Sequence, residues 1–461
     1  MIIKKTIAAF LALLGAAPFL SAASSPFLVP SKGAMITQEV PAGAQLKNAE
    51  HQRYFLDGKI VDVKQGPLRA RLLPSTQDGE LDVWFRMPRG AVPRITSVSK
   101  AYFGEKFSLF PMVENAEAKD GKFSLKYSVT ATAPDGAKLE IVKDAKWSGE
   151  KKQEASAMIC PDVIDLRFDK RYQPGKYSFT LDVVDENSGQ KSADTAEVEL
   201  AKWEAPKTLD DPKLLDEAFR TFYFKPSPEL LYSMFFSKAL DMEEPRSPYR
   251  LNFTMLGFFK AGFLRYDFLV EEIMANFAKY NFADRTKIIL ISKLIGKPPI
   301  LDSLLDPSEI KYQKSLFEAE MPNPYEDWHR TLAPVQMDML WGEFYMTGSY
   351  RPVRRMMNTL ANAKEGEFVE SIMRAGRRPN KDELNRFTMG VVHIVGLKSL
   401  IRNTEASDLA DQYCVWALEN DDLPKSSQEL LRKIYPGTGK KRSQFEKAFE
   451  GIIDTSGKGA K

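Results

Sequence analysis

Phe123-Ser-Leu-Lys-Tyr-Ser-Val-Thr-Ala131 places an apolar residue at every odd position and Ser, Lys or Thr at every even one. Successive side chains of a strand point to opposite faces, so this alternation predicts a strand with one face on a core and one in water. The same period recurs nearby. Tyr177, Phe179, Leu181 and Val183 alternate with Ser178, Thr180 and Asp182, and Ala196, Val198 and Leu200 alternate with Glu197 and Glu199. Between these runs lie Ala133-Pro134-Asp135-Gly136, Gln173-Pro174-Gly175 and Asn187-Ser188-Gly189, each with turn chemistry. Short strands at this spacing over residues 96–202 predict an immunoglobulin-like antiparallel β-sandwich, although the Cys–Trp–Cys signature of antibody domains is absent.

Upstream, residues 24–95 read as an irregular lead-in with a few strands. Arg53–Val63 and Glu80–Met87 (ELDVWFRM) are the strand candidates there. Downstream, the period changes near Trp203-Glu-Ala-Pro206. Apolar residues then recur every three or four positions from Asp210, which predicts an all-α domain over residues 207–454, built as a bundle of helical hairpins or an irregular solenoid. Ser227-Pro228-Glu229 sets Pro at a first helical position, Pro352 follows Tyr350-Arg351, and Thr347-Gly348 offers a left-handed stop. Residues 455–461 read as a disordered tail.

At the N-terminus, Lys4 and Lys5 precede the apolar run Ile7–Leu14, Pro18 and the small residues Ser21-Ala22-Ala23. That order predicts a cleavable signal peptide over residues 1–23, hence export to the periplasm or the exterior. The full chain carries 65 Lys and Arg against 62 Asp and Glu. Such near-neutrality gives no bulk electrostatic drive toward nucleic acid. No stretch after residue 23 is long and apolar enough to predict an integral membrane segment. The two cysteines, Cys160 and Cys414, fall in different predicted domains, and the sequence leaves their pairing open.

Chemistry-bearing residues are sparse. Three histidines, none with a second His at ligand spacing, predict no metal site, and no motif calls for a cofactor. Gly437-Thr-Gly439-Lys440-Lys441 lacks the first glycine of a phosphate loop and the hydroxyl residue after its lysine. Asp338, Glu343 and His329 are the candidates for a hydrolase that works with carboxylates in a helical-domain cleft. Core packing accounts for a histidine such as His393, set among Val391, Val392, Ile394 and Val395. Arg354, Arg355, Arg377 and Arg378 are candidates for an anionic-glycan patch. Eleven aromatic residues crowd Phe222–Phe263, and Trp341 and Phe344 head a second stripe. Aromatics at helical spacing pack cores, and a surplus at a groove marks a binding surface.

Two stretches carry a resemblance. Tyr172-Gln-Pro-Gly-Lys-Tyr177 with Asp182-Val-Val-Asp-Glu-Asn-Ser-Gly189 resembles a sandwich module of uncharacterised exported bacterial proteins. Met337-Asp-Met-Leu-Trp-Gly-Glu-Phe-Tyr-Met-Thr-Gly348 resembles a D-x-L-W-x-x-F-x-x-[ST]-G element of uncharacterised helical bacterial proteins. The resemblance implies bacterial export and these two folds, and it carries no catalytic residues. The expectation from the residues is a non-enzymatic binding or scaffolding protein whose helical domain engages a protein or peptide.

Overall fold

The computed structural model describes residues 49–435 except 77–78, 89, 244–250, 297–306, 308, 312–313, 315–322 and 326–331. All lie within one compact unit, Leu46–Lys461. The signal peptide, His329 and the tail fall outside the described residues. The N-terminal half is β-rich and the C-terminal half is all-helical among the described residues.

The strands are β1 (Arg53–Leu56), β2 (Lys59–Asp62), β3 (Arg69–Ser75), β4 (Arg94–Ile95), β5 (Lys100–Tyr102), β6 (Lys106–Glu114), β7 (Lys122–Thr132), β8 (Lys138–Glu150), β9 (Ala157–Ile159), β10 (Ile164–Arg167), β11 (Gly175–Asp185) and β12 (Lys191–Ala201). One sheet has the order β5-β12-β11-β7-β8, a second β10-β6-β3 with β9 also on β6, and a small third β2-β1-β4. The residues that alternate in the sequence are those that bury: Phe123, Leu125, Tyr127 and Val129 share a core with Phe179, Leu181, Val183, Val198 and Leu200. Leu72, Phe107, Leu109 and Val113 of the second sheet close that core from the other side. The two larger sheets therefore pack over one apolar layer.

Arg69–Ser75 falls in the stretch read from sequence as lead-in, yet it pairs with β6 over its whole length. Its remaining edge is closed mainly by side chains, with one backbone bond from the Val98 amide to the Pro74 carbonyl oxygen at 2.8 Å. The amides of Leu68, Ala70 and Leu72 donate to Gln190 Oε1, Ser192 Oγ and Asp194 Oδ2 at 2.8–2.9 Å. This two-residue rhythm satisfies an edge that would otherwise be open to pairing.

Glu80–Met87 is not a strand. Glu80–Phe85 forms a short helix, α1. Its period-two appearance arises because both sides of the element are covered. Trp84 and Phe85 enter the core of the small sheet, while Val83 and Met87 enter the helical core. Asp82 then joins the halves by hydrogen bonds. Its Oδ2 accepts the Tyr350 amide at 2.9 Å and its Oδ1 accepts Arg86 Nε at 2.8 Å. Ser349 provides no side-chain cap for the helix that begins at Tyr350, so a residue 268 positions upstream does that work. Asp82→Ala is accordingly expected to cost roughly 1–2 kcal/mol, read as a lower melting temperature of the full chain. An unchanged melt would remove Asp82 from this role.

The helices that follow are α2 (Pro212–Thr221), α3 (Pro228–Phe235), α4 (Lys238–Glu243), α5 (Phe253–Arg265), α6 (Phe268–Ala275), α7 (Phe282–Leu294), α8 (Pro334–Thr347), α9 (Tyr350–Asn358), α10 (Ala363–Arg374), α11 (Leu384–Ala406), α12 (Asp408–Glu419) and α13 (Lys425–Ile434). The aromatic crowd is core: Phe222, Phe235, Phe258, Phe259 and Phe263 are all within 1% of complete burial. Gly348 ends α8 in the left-handed conformation at φ 64°. His393 is buried, with Nδ1 3.0 Å from the Thr359 carbonyl oxygen. Cys160 and Cys414 are free thiols buried in the sheet core and the helical core respectively.

Candidate functional site

The segment that leaves β12 crosses from the sheets to the helices, and Trp203 is its anchor. The indole meets Tyr102 of β5 (centroids 5.0 Å, 79°), Phe268 of α6 (5.7 Å, 77°) and Tyr232 of α3 (5.8 Å, 62°). Edge-to-face geometry of this kind adds attraction beyond area burial. Around the anchor the junction is held by polar contacts. Tyr102 Oη donates to Glu229. Arg167 makes a two-pronged pair with Asp267 at 2.9 and 3.3 Å, and Arg265 Nε donates to the Thr76 carbonyl oxygen at 2.7 Å.

Beside Trp203 opens a cavity of about 160 Å³ lined by Trp203, Ala205, Tyr232, Glu272, Asn276 and Tyr280. Its walls come from the crossing segment, α3, α6 and the turn after α6. The hydroxyls of Tyr232 and Tyr280 lie 3.2 Å apart, and the Tyr280 ring is stacked on Phe236 at 4.7 Å and 5°. Burial, and then the Tyr232 hydroxyl, raise the Tyr280 phenol, which stays neutral. Glu272 and Asn276 lie one helical turn apart, so α6 and the turn after it bring both to the cavity. Asn276 is oriented by donating to the Glu272 carbonyl oxygen at 3.0 Å and by accepting Lys279 Nζ at 2.7 Å. Lys170 Nζ stands 3.9 Å from the Glu272 carboxylate, in an exposed pair. The arrangement offers fixed aromatic walls, one carboxylate and one amide at a solvent-open mouth.

The residues singled out from sequence lie elsewhere. Trp341 and Phe344 are interior, at 3% and 0% exposure, and the Trp341 indole donates to Ser399 Oγ at 2.8 Å. They support the fold and present no binding surface. Asp338 and Glu343 share α8 but face different surroundings. Asp338 is exposed, whereas Glu343 accepts the Tyr325 hydroxyl at 2.7 Å. Lys260, whose burial lowers its pKa, feels the Glu343 charge. Five positions apart on one helix, the two acids point about 140° apart around its axis.

The arginine candidates are also divided. Arg355 is buried at 2% exposure with Nε on the Pro324 carbonyl oxygen, and Arg354 is taken by Asp422 and Asn358. Arg377 is clamped by Glu383 at 2.7 and 2.8 Å, which holds that carboxyl at about 2, and Arg378 is exposed. Three of the four guanidiniums are thus buried or already paired, and Arg378 is the exposed one outside those contacts.

No protein-family model and no curated protein matches the sequence. Solved structures with local likeness include the CARDB domain of a Pyrococcus furiosus protein in complex with di-metal ions. It shows 12% identity over 29% of this chain and 86% of that one, with a TM-score of 0.17. A family 123 glycoside hydrolase from Clostridium perfringens shows 12% identity over 33% of this chain and 32% of that one, TM-score 0.20. The E. coli alpha-2-macroglobulin shows 9% identity over 83% of this chain and 26% of that one, TM-score 0.16. At these scores no correspondence of fold or function is drawn.

Proposed function

We propose that the chain is an exported, non-enzymatic binding or scaffolding protein that engages a protein or peptide at the junction cavity. In this reading the β-rich half is an immunoglobulin-like sandwich that supports the site, and the helical half supplies most of its walls. The observation that carries it is the aromatic cavity at Trp203, Tyr232 and Tyr280, built on rings that are already fixed by neighbouring rings. Rigid aromatic walls favour binding because little side-chain freedom is lost when a guest enters. Export rests on Lys4, Lys5, the apolar run to Leu14 and Ser21-Ala22-Ala23.

The test is capture from the exported fraction by the immobilised full chain. One partner is expected to be retained reproducibly and to be lost with Trp203→Ala or Tyr280→Ala, provided circular dichroism shows both variants folded. Retention that ignores both substitutions would sink the site. Retention that instead follows Arg354 and Arg378 would favour the anionic-glycan reading of those arginines.

A further inference from the structure

We infer that the junction cavity accepts an alkylammonium group, such as the end of a lysine side chain or a quaternary ammonium head. This deepens the binding reading and rests on it. Three of the six lining residues are Trp or Tyr; one face of Tyr280 is stacked on Phe236, and an open aromatic face attracts a cation through its quadrupole, with Trp the strongest. Glu272 adds a carboxyl group to the same wall. An anionic guest would be repelled by both and attracted only by the rim lysines Lys170 and Lys279. A neutral apolar guest would cover the carboxylate and the Asn276 amide without replacing their hydration. A compact organic cation satisfies the rings and the carboxylate together, and the volume of about 160 Å³ suits one small head group rather than an extended ligand.

The protein's own cations point the same way. Lys170 reaches toward Glu272 at 3.9 Å, and Lys279 bonds Asn276 at 2.7 Å. Two ammonium groups thus already sit at the rim acceptors. Lys170 is highly exposed, so it competes with an entering cation without blocking it.

The experiment titrates the full chain by calorimetry with choline and with 3,3-dimethyl-1-butanol, its uncharged carbon isostere. A lysine-bearing peptide and the same peptide with that lysine acetylated form the second pair. Choline is expected to bind at least tenfold more tightly than the isostere, and the lysine peptide more tightly than its acetylated form. Glu272→Gln, on an accessible helix face, should weaken choline roughly five- to tenfold. Lys170→Ala should strengthen it, because a competing cation is gone. Equal binding of choline and the alcohol, or no binding of either cation, would overturn the ligand class, as would a Glu272→Gln variant unchanged for choline. If the cations fail while partner capture still depends on Trp203, the ligand class falls and the binding site stands. If capture fails as well, both fall. Choline binding without peptide binding supports the cation site and contradicts the peptide partner.

Discussion

Gly342→Ala is expected to destabilise the chain by at least ~3 kcal/mol, with Gly257→Ala close behind. The two glycines face each other where α5 and α8 cross. A Cβ at Gly342 would lie 1.9 Å from the Thr254 carbonyl oxygen and 2.6 Å from the Phe258 amide nitrogen. A Cβ at Gly257 would lie 2.0 Å from the Met339 carbonyl oxygen. These are backbone atoms, so no rotamer change relieves the clash and the helices must separate. Separation opens the surrounding layer of Leu256, Phe258, Leu340 and Phe344, all buried at 0% exposure. Lost packing then adds to the steric cost. Gly66 is the control. Its Cβ would meet nothing closer than 3.8 Å, so Gly66→Ala should stay within about 0.5 kcal/mol of the parent. Denaturant unfolding of the three variants checks the ranking. Parental stability in Gly342→Ala would refute the close crossing.

Glu80→Gln is expected to raise stability above neutral pH and to flatten its pH dependence. Glu80 is fully buried, and neither carboxyl oxygen has a hydrogen-bond partner of good geometry. Burial pushes its pKa from 4.5 to about 8, Asp57 adds to the rise, and Ser75, the Thr96 backbone and Arg265 oppose it. Glu105, which also feels Arg265, is raised to about 8, again by burial first. The Tyr102 amide, Arg265 and Lys100 oppose that shift, and Glu229 reinforces it.

A folded pKa above the unfolded one means that the native state keeps a proton the unfolded chain releases. The contribution is therefore complete below pH 4.5 and is lost as the pH climbs toward 8. At pH 7 the loss is on the order of 3 kcal/mol per group as an upper bound. The amide keeps the volume and removes the titration. Melting temperatures of the parent and Glu80→Gln between pH 5 and 9 should converge at the acid end and diverge at the alkaline end. Parallel curves would contradict the buried, protonated Glu80.

Much of the architecture was readable because local rules and tertiary packing agree. The period-two runs bury their odd residues, Pro228 sits at the first position of a helix capped by Ser227, and Gly348 stops α8. The reading failed where an element serves two cores. Leu81, Val83, Phe85 and Met87 alternate in sequence, but α1 is helical because Trp84 and Val83 face different neighbours. Trp341 and Phe344 were legible as an aromatic stripe, yet sequence alone could not show that Ser399, 58 positions away, receives the indole.

The cavity was the least legible feature. Trp203 registers in the sequence as a domain landmark and Tyr232 as part of the aromatic crowd, while Glu272 and Asn276 offer only one-turn spacing. Only the fold brings Trp203 and Tyr280 to one wall. Arg355 illustrates the converse, a cation chosen for its surface promise that the fold buries.

The most direct test of the binding account is a hydrogen-exchange footprint of the full chain with its captured partner. The account predicts slowed exchange in the segment around Trp203–Ala205, in α3 near Tyr232 and across Glu272–Tyr280. Protection confined instead to residues 351–378, with the cavity walls unchanged, would contradict it.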